Sequence, residues 1–149
     1  EILILGAGGF TLTAQGTHNN HITYVDIDPA LPELVKKHFL NPIQGEIVIQ
    51  DARQYLLTHP KKYDVILQDV FFPNKDEGLA MLRKLYQSID PNSSTIILMT
   101  SMPIELFSQE ANVTQYLQMA KKFISKDDDQ KAIIESVKEI IATKQQPSS

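Results

Sequence analysis

The sequence predicts an α/β domain of three layers: a mainly parallel sheet, helices on both of its faces, and a helical C-terminal tail. Three observations predict it. Short apolar runs alternate with amphipathic stretches five times in succession, the pattern of a wound sheet with helical crossovers. The runs are continuous rather than alternating, as suits strands covered on both faces. Glycine and proline fall between the runs and not within them, and aspartate does so except for Asp64.

Residues 2–5, Ile-Leu-Ile-Leu, read as the first strand, closed by Gly6-Ala7-Gly8-Gly9. A short helix is expected over residues 11–15, stopped by Gly16. Residues 22–25 are β-branched and aromatic, a second strand. Asp28 then suits an N-cap and Pro29 a first helical position. Leu31, Leu34, Val35, His38 and Phe39 recur at helical spacing before Asn41-Pro42 ends the helix. Residues 46–49 make a third strand, with Asp51 capping a helix through Leu57. Residues 63–67 make a fourth, followed by Gln68-Asp69 and the Phe71-Phe72-Pro73-Asn74 loop. Leu79, Leu82, Leu85, Tyr86 and Ile89 mark another amphipathic helix, and residues 95–99 a fifth strand. The expected strand order is 3-2-1-4-5. In the tail, residues 111–149, apolar stripes over 113–124 and 133–141 read as two helices joined by acidic Lys126-Asp127-Asp128-Asp129.

A chain of 149 residues makes a single domain, 1–149, and buries about 70% of its extended surface on folding. The absence of cysteine excludes disulfides, thiolate metal sites and thiol catalysis. Fourteen Lys and Arg against eighteen Asp and Glu give a net charge of −4, which argues against a nucleic-acid partner. No apolar run approaches the roughly 18 residues needed to span a bilayer, so no membrane partner is expected in this segment. The chain begins with Glu1, already against a strand. It reads as a piece whose upstream part is missing, without a signal peptide, and a cytoplasmic location is expected.

In a wound parallel sheet, ligands bind beyond the carboxyl ends of the strands. Gly6, Gly8 and Gly9 follow the first strand, Asp26 ends the second, Asp51 follows the third and Asp69 the fourth. Glycines admit a ligand close to the backbone. A carboxylate after the second strand can accept both ribose hydroxyls. Asp51 can accept from an exocyclic amine such as that of adenine, or serve only as a helix cap. Asp69 projects beside the reacting group, or is a plain loop carboxylate. A dinucleotide fingerprint wants G-x-G-x-x-G, and Thr11 occupies the third glycine position. A nucleoside without phosphates asks less of the loop. His18 and His21 lack further metal ligands, Asp127-Asp128-Asp129 lacks the pattern of a calcium loop, and the serines lack the context of a hydrolase.

The segments Ile4-Leu5-Gly6-Ala7-Gly8-Gly9-Phe10-Thr11-Leu12, Tyr24-Val25-Asp26-Ile27-Asp28-Pro29, Gln50-Asp51-Ala52-Arg53 and Tyr63-Asp64-Val65-Ile66-Leu67-Gln68-Asp69-Val70-Phe71 together resemble spermidine synthases and their relatives. These are aminopropyltransferases of polyamine biosynthesis on the Rossmann-like S-adenosylmethionine methyltransferase fold. The resemblance covers the first half of the chain and, weakly, the part through Thr100. It implies that Gly6, Ala7, Gly8, Gly9, Asp26, Ile27, Asp51 and Ala52 contact the nucleoside, with Asp26 on the ribose and Asp51 at the adenine. It implies that Asp69 receives the proton of the attacking amine. The implied co-substrate is S-adenosylmethionine or its decarboxylated form, with no metal.

The chain departs from the family at Gly9-Phe10 and at Phe72, where the family carries aspartates, and it lacks the family's N-terminal β domain. The expected function is a spermidine-synthase-like transferase domain, with aminopropyl transfer to an amine altered or lost. The alternatives are a methyltransferase acting on a small acceptor, and a degenerate domain that serves association as a homodimer.

Overall fold

Six parallel strands form the middle layer of the computed structural model, which describes residues 1–8, 10–13, 16–17, 19–39, 42–69, 75–90, 93–101, 118 and 120–145. They are β1 (Ile2–Leu5), β2 (Ile22–Asp26), β3 (Glu46–Ile49), β4 (Val65–Gln68), β5 (Thr95–Thr100) and β6 (Lys122–Ser125). Their order is β3-β2-β1-β4-β5-β6. The first five follow the expected 3-2-1-4-5. In register, Leu5 lies opposite Val25 on one side and Gln68 on the other.

Strand pleating sorts the apolar residues into two cores. Ile2, Ile4, Ile22, Tyr24, Val65, Leu67 and Ile97 face α1 (Leu31–His38) and α4 (Gln130–Gln145), which contribute Val35 and Val137. Leu3, Leu5, Val25, Ile66, Ile96 and Leu98 face α2 (Ala52–Thr58) and α3 (Lys75–Ser88), which contribute Tyr55, Leu56, Met81 and Leu85. This is the three-layer arrangement that continuous apolar strands require. The hydroxyls of Tyr55 and Tyr63, 2.7 Å apart, satisfy each other within the second core.

The structure corrects the sequence reading in three places. The first is β6. Residues 122–125 are a strand, not the end of a helix. Phe123 packs into one core and Ile124 into the other, which period-2 geometry achieves and a helical stripe does not. Short apolar runs are ambiguous between the two periods, and this one was decided by pairing with β5. The rest of that expected helix, over residues 113–117, lies outside the described residues. The second tail helix is α4; Asp129 caps it, accepting from Lys131 N at 3.2 Å through its carboxylate.

The second correction follows β1. A single 3-10 turn, Thr11–Thr13, stands where a helix through residue 15 is expected, and Gly16 and Thr17 are not helical. Phe10 adopts φ +55° and is buried edge-on against Tyr24, with ring centroids 4.8 Å apart. Tyr24 in turn donates to Thr13 Oγ1 at 3.0 Å. Packing of these rings holds the turn against the sheet; residues 14 and 15 of the expected helix lie outside the described residues. The third correction is the start of α1. Asp28 accepts from Ala30 N at 2.9 Å and so closes a turn over Pro29 and Ala30; the helix begins at Leu31, with Pro32 in its first turn.

Gly45, entering β3, has φ +116°, and a Cβ there would meet the Ile22 carbonyl oxygen at 2.8 Å. Only glycine fits. A separate apolar cleft of about 240 Å³ lies between α4 and the strands at Ile2, Ile4, Ile22 and Val65. It is lined by none of the three carboxylates described next. Among the described residues no helix is long and apolar enough to cross a membrane.

Candidate functional site

Parallel pairing delivers the carboxyl ends of β1, β2, β3 and β4 to one edge of the sheet. The chain leaves β1 for β2 on one side and returns to β4 on the other, so a crevice opens between those directions. A cleft of about 550 Å³ occupies this place, bordered by Gly6, Gly8, Asp26, Ile27, Asp51, Ala52, Asp69 and Lys126. Every predicted site residue that the structure describes lies at this edge. Gly9 lies outside the described residues.

The glycine turn is tied to both neighbours of β1. Gly6 has φ +91° and donates its N–H to the Val25 carbonyl at 2.8 Å. Ala7 N donates to Asp26 Oδ2 at 2.8 Å. Gly8 has φ +53°, and its missing Cβ would stand 3.9 Å from Asp69 Oδ2. The turn therefore brings bare backbone up to the carboxylate of β4. On the far side, Asp28 N donates to Asp26 Oδ1 at 3.0 Å. Asp26 thus spends one lone pair of each oxygen on the backbone and keeps acceptor capacity on both. Ile27 is 68% exposed at the rim, an apolar side chain in water beside Asp26.

Asp51 caps a helix and also borders the cleft. It is the N-cap of α2, accepting from Arg53 N at 2.9 Å and Gln54 N at 3.1 Å through Oδ1. Its Oδ2 meets Arg53 Nη2 at 3.2 Å. Partial burial pushes this carboxyl upward, but the Arg53 guanidinium and the two helix N–H groups outweigh it, and the net shift is downward. The stability contributed by the charge is therefore complete above the ordinary aspartate value and fades as pH falls through the lowered one. Asp51→Ala should cost about 1–2 kcal/mol at pH 7, and Asp51→Asn less, since the amide oxygen still caps. Urea denaturation at pH 7 and at about pH 2.5 checks this: the gap between wild type and Asp51→Asn should narrow in acid.

Asp69 follows β4, its N–H bound to the Leu5 carbonyl at 2.8 Å. Its Oδ1 is shut off from solvent and meets Lys126 Nζ at 2.7 Å as an ion pair without an aligned hydrogen bond. Its Oδ2 faces Gly8. Burial raises the Asp69 carboxyl above its ordinary value; the Lys126 ammonium opposes this, and the charge of Asp26 adds to it. Lys126 is the site residue that sequence reading missed. It directly follows β6, and the last residue of a parallel strand reaches the ligand edge. Reading 122–125 as helix hid that signal.

Capture of a pyrophosphate uses a helix N-terminus behind the glycine turn; among the described residues that follow the turn, Thr11–Thr13 form a single 3-10 turn and no α-helix. His21 pairs with Glu1 at 3.1 Å, and His18 lies outside the described residues. Among the described residues no three His, Asp or Glu converge as metal ligands.

The fold and this edge define a doubly wound α/β architecture with a crevice at the carboxyl ends of its strands, and comparison with known proteins places it more narrowly. No family model matches the chain. Over 95 residues it is 37% identical to polyamine aminopropyltransferase 2 of Hyperthermus butylicus, an alignment covering 57% of this chain and 31% of the relative. Over 102 residues it is 32% identical to the polyamine aminopropyltransferase of Sulfurisphaera tokodaii, covering 60% and 34%. The chain spans about a third of the length of these relatives. The resemblance to spermidine-synthase-type aminopropyltransferases read from the motifs is thereby borne out. Human methyltransferase-like protein 13, solved in complex with SAH, superposes over 99% of this chain and 83% of its own, with TM-score 0.60 and 16% identity. At that identity the likeness establishes the methyltransferase fold.

Proposed function

We propose that the cleft binds an S-adenosyl-type nucleoside and that the chain is the nucleoside-handling domain of a transferase related to spermidine synthase. The observation that carries this reading is the convergence of Asp26, Asp51 and Asp69 around the Gly6–Gly8 turn at one cleft. The remaining acceptor capacity of Asp26 suits the two ribose hydroxyls. Asp51 Oδ2 suits the adenine amine, Ala52 its ring edge, and Ile27 its apolar face. The two aminopropyltransferase relatives support the same reading.

Such a ligand supplies a sulfonium carbon open to attack by a neutral amine. An amine of pKa about 10.4 is deprotonated in only about 1 part in 2,500 at pH 7, a penalty near 4.6 kcal/mol. Asp69 is the group at hand to orient the amine and take up its proton as the new carbon–nitrogen bond forms and the carbon–sulfur bond breaks. Calorimetric titration with methylthioadenosine and NAD tests the site. Saturable binding of methylthioadenosine but not NAD is expected. Binding of NAD alone, or of neither by a folded sample, would overturn the assignment.

A further inference from the structure

The nucleoside reading leaves one group at the site without a task. Lys126 comes from the far end of the chain and reaches into the cleft between β1 and β4. Its backbone N–H is fixed to the Thr100 carbonyl at 2.9 Å, and its ammonium is held at 2.7 Å by Asp69 Oδ1. An ammonium carries three donors, and this contact occupies one direction only. The side chain keeps 29% of its exposure, so the rest of the head faces the cleft. Asp69 is arranged as its complement. Its inner oxygen, Oδ1, meets the lysine, while Oδ2 stands over the Cβ-less Gly8 turn.

The pair therefore presents a fixed cation and an open carboxylate oxygen side by side, at the end of the cleft nearest the glycine turn. That is the complement of an α-amino acid: its ammonium on one lone pair of Asp69 Oδ2, its carboxylate on Lys126, with the second lone pair of Oδ2 left for the acceptor amine. An amine-only tail would meet Asp69 equally well, but it would bring a second positive charge near Lys126 without the carboxylate that engages it. Arg53, the other cation at the cleft, is engaged with Asp51 on the opposite side.

We propose that Lys126 is a specificity-determining residue, which with Asp69 makes the site select S-adenosyl ligands carrying an intact amino-acid tail over their decarboxylated counterparts. This rests on the nucleoside reading above and deepens it: it names the donor as S-adenosylmethionine itself, the donor used in methyl transfer, and not the aminopropyl donor.

Three thioethers test it by calorimetry on the full chain: methylthioadenosine, S-adenosylhomocysteine and decarboxylated S-adenosylhomocysteine. S-adenosylhomocysteine should bind about tenfold or more tightly than its decarboxylated form, the effect of one charge-assisted contact. Lys126→Gln should bring the two within about twofold while leaving methylthioadenosine unchanged, and Lys126→Arg should preserve the preference. Equal or tighter binding of the decarboxylated ligand by wild type overturns this inference and leaves the nucleoside site standing. A preference that survives Lys126→Gln assigns selection to another group and also overturns it. Failure of all three to bind the folded chain overturns the nucleoside reading and this inference with it.

Discussion

Asp26→Ala is expected to lower affinity for methylthioadenosine by about 10–100-fold, the loss of charge-assisted hydrogen bonds to the ribose. From the sequence alone this change costs binding and little stability. The structure adds a second cost. Ala7 N and Asp28 N both donate to this carboxylate, at 2.8 and 3.0 Å. Alanine leaves both N–H groups without that acceptor, one of them in the part-buried turn, and should destabilise the chain by about 1–3 kcal/mol. Binding and denaturation must therefore be measured on the same sample. Asp26→Asn separates the two effects, because its one oxygen can keep one backbone contact. Unchanged nucleoside affinity in a folded Asp26→Ala chain would remove Asp26 from the site.

Asp69→Asn has the opposite character. Burial raises this carboxyl despite Lys126, so ionisation is harder in the folded chain than in the unfolded one. Below the ordinary aspartate value the group is neutral in both states and the Asn variant gains nothing. As pH rises through the raised value the wild type alone gives up stability. The variant should therefore be more stable at pH 7, on the order of 1 kcal/mol or about 2–4 °C in Tm, with the difference closing near pH 3. Methylthioadenosine, which carries no charged tail, should bind within about twofold of wild type. Transfer to an amine, which needs a proton acceptor, should fall by about 10²–10⁴-fold. Thermal melts across the pH range and side-by-side turnover assays check these outcomes. Turnover equal to wild type would take Asp69 out of the chemistry. A variant less stable at pH 7 would mean that the Lys126 pair outweighs burial.

The two predictions show a site that is also a structural joint. Asp26 ties the glycine turn to β2, Asp51 starts α2, and Asp69 anchors β6 to β4 through Lys126. For Asp51 the cap does not preclude the proposed ligand contact, since Oδ1 caps the helix while Oδ2 meets Arg53 at the cleft. Arginine at position 53 lowers the cost of keeping that charge at a part-buried edge.

Local signals carried the sheet. Apolar runs at β1, β2, β3, β4 and β5, with helical spacing after β2, β3 and β4, are properties of neighbouring residues, and they imply parallel strands wherever the crossover is long. Parallel pairing then obliges the residues after each strand to meet at one edge, so Gly6, Gly8, Asp26, Asp51 and Asp69 were readable as one site before any contact was known. Three features depended instead on partners distant in sequence. The ring of Phe10 on Tyr24 accompanies a 3-10 turn at Thr11–Thr13, where the start of a helix is expected. Pairing with β5 turned residues 122–125 from a helical stripe into β6. That strand, in turn, carried Lys126 to Asp69. Periodicity reports which way a side chain points within its own element. It holds no information about which distant element lies opposite, and the charge balance of this cleft was set there.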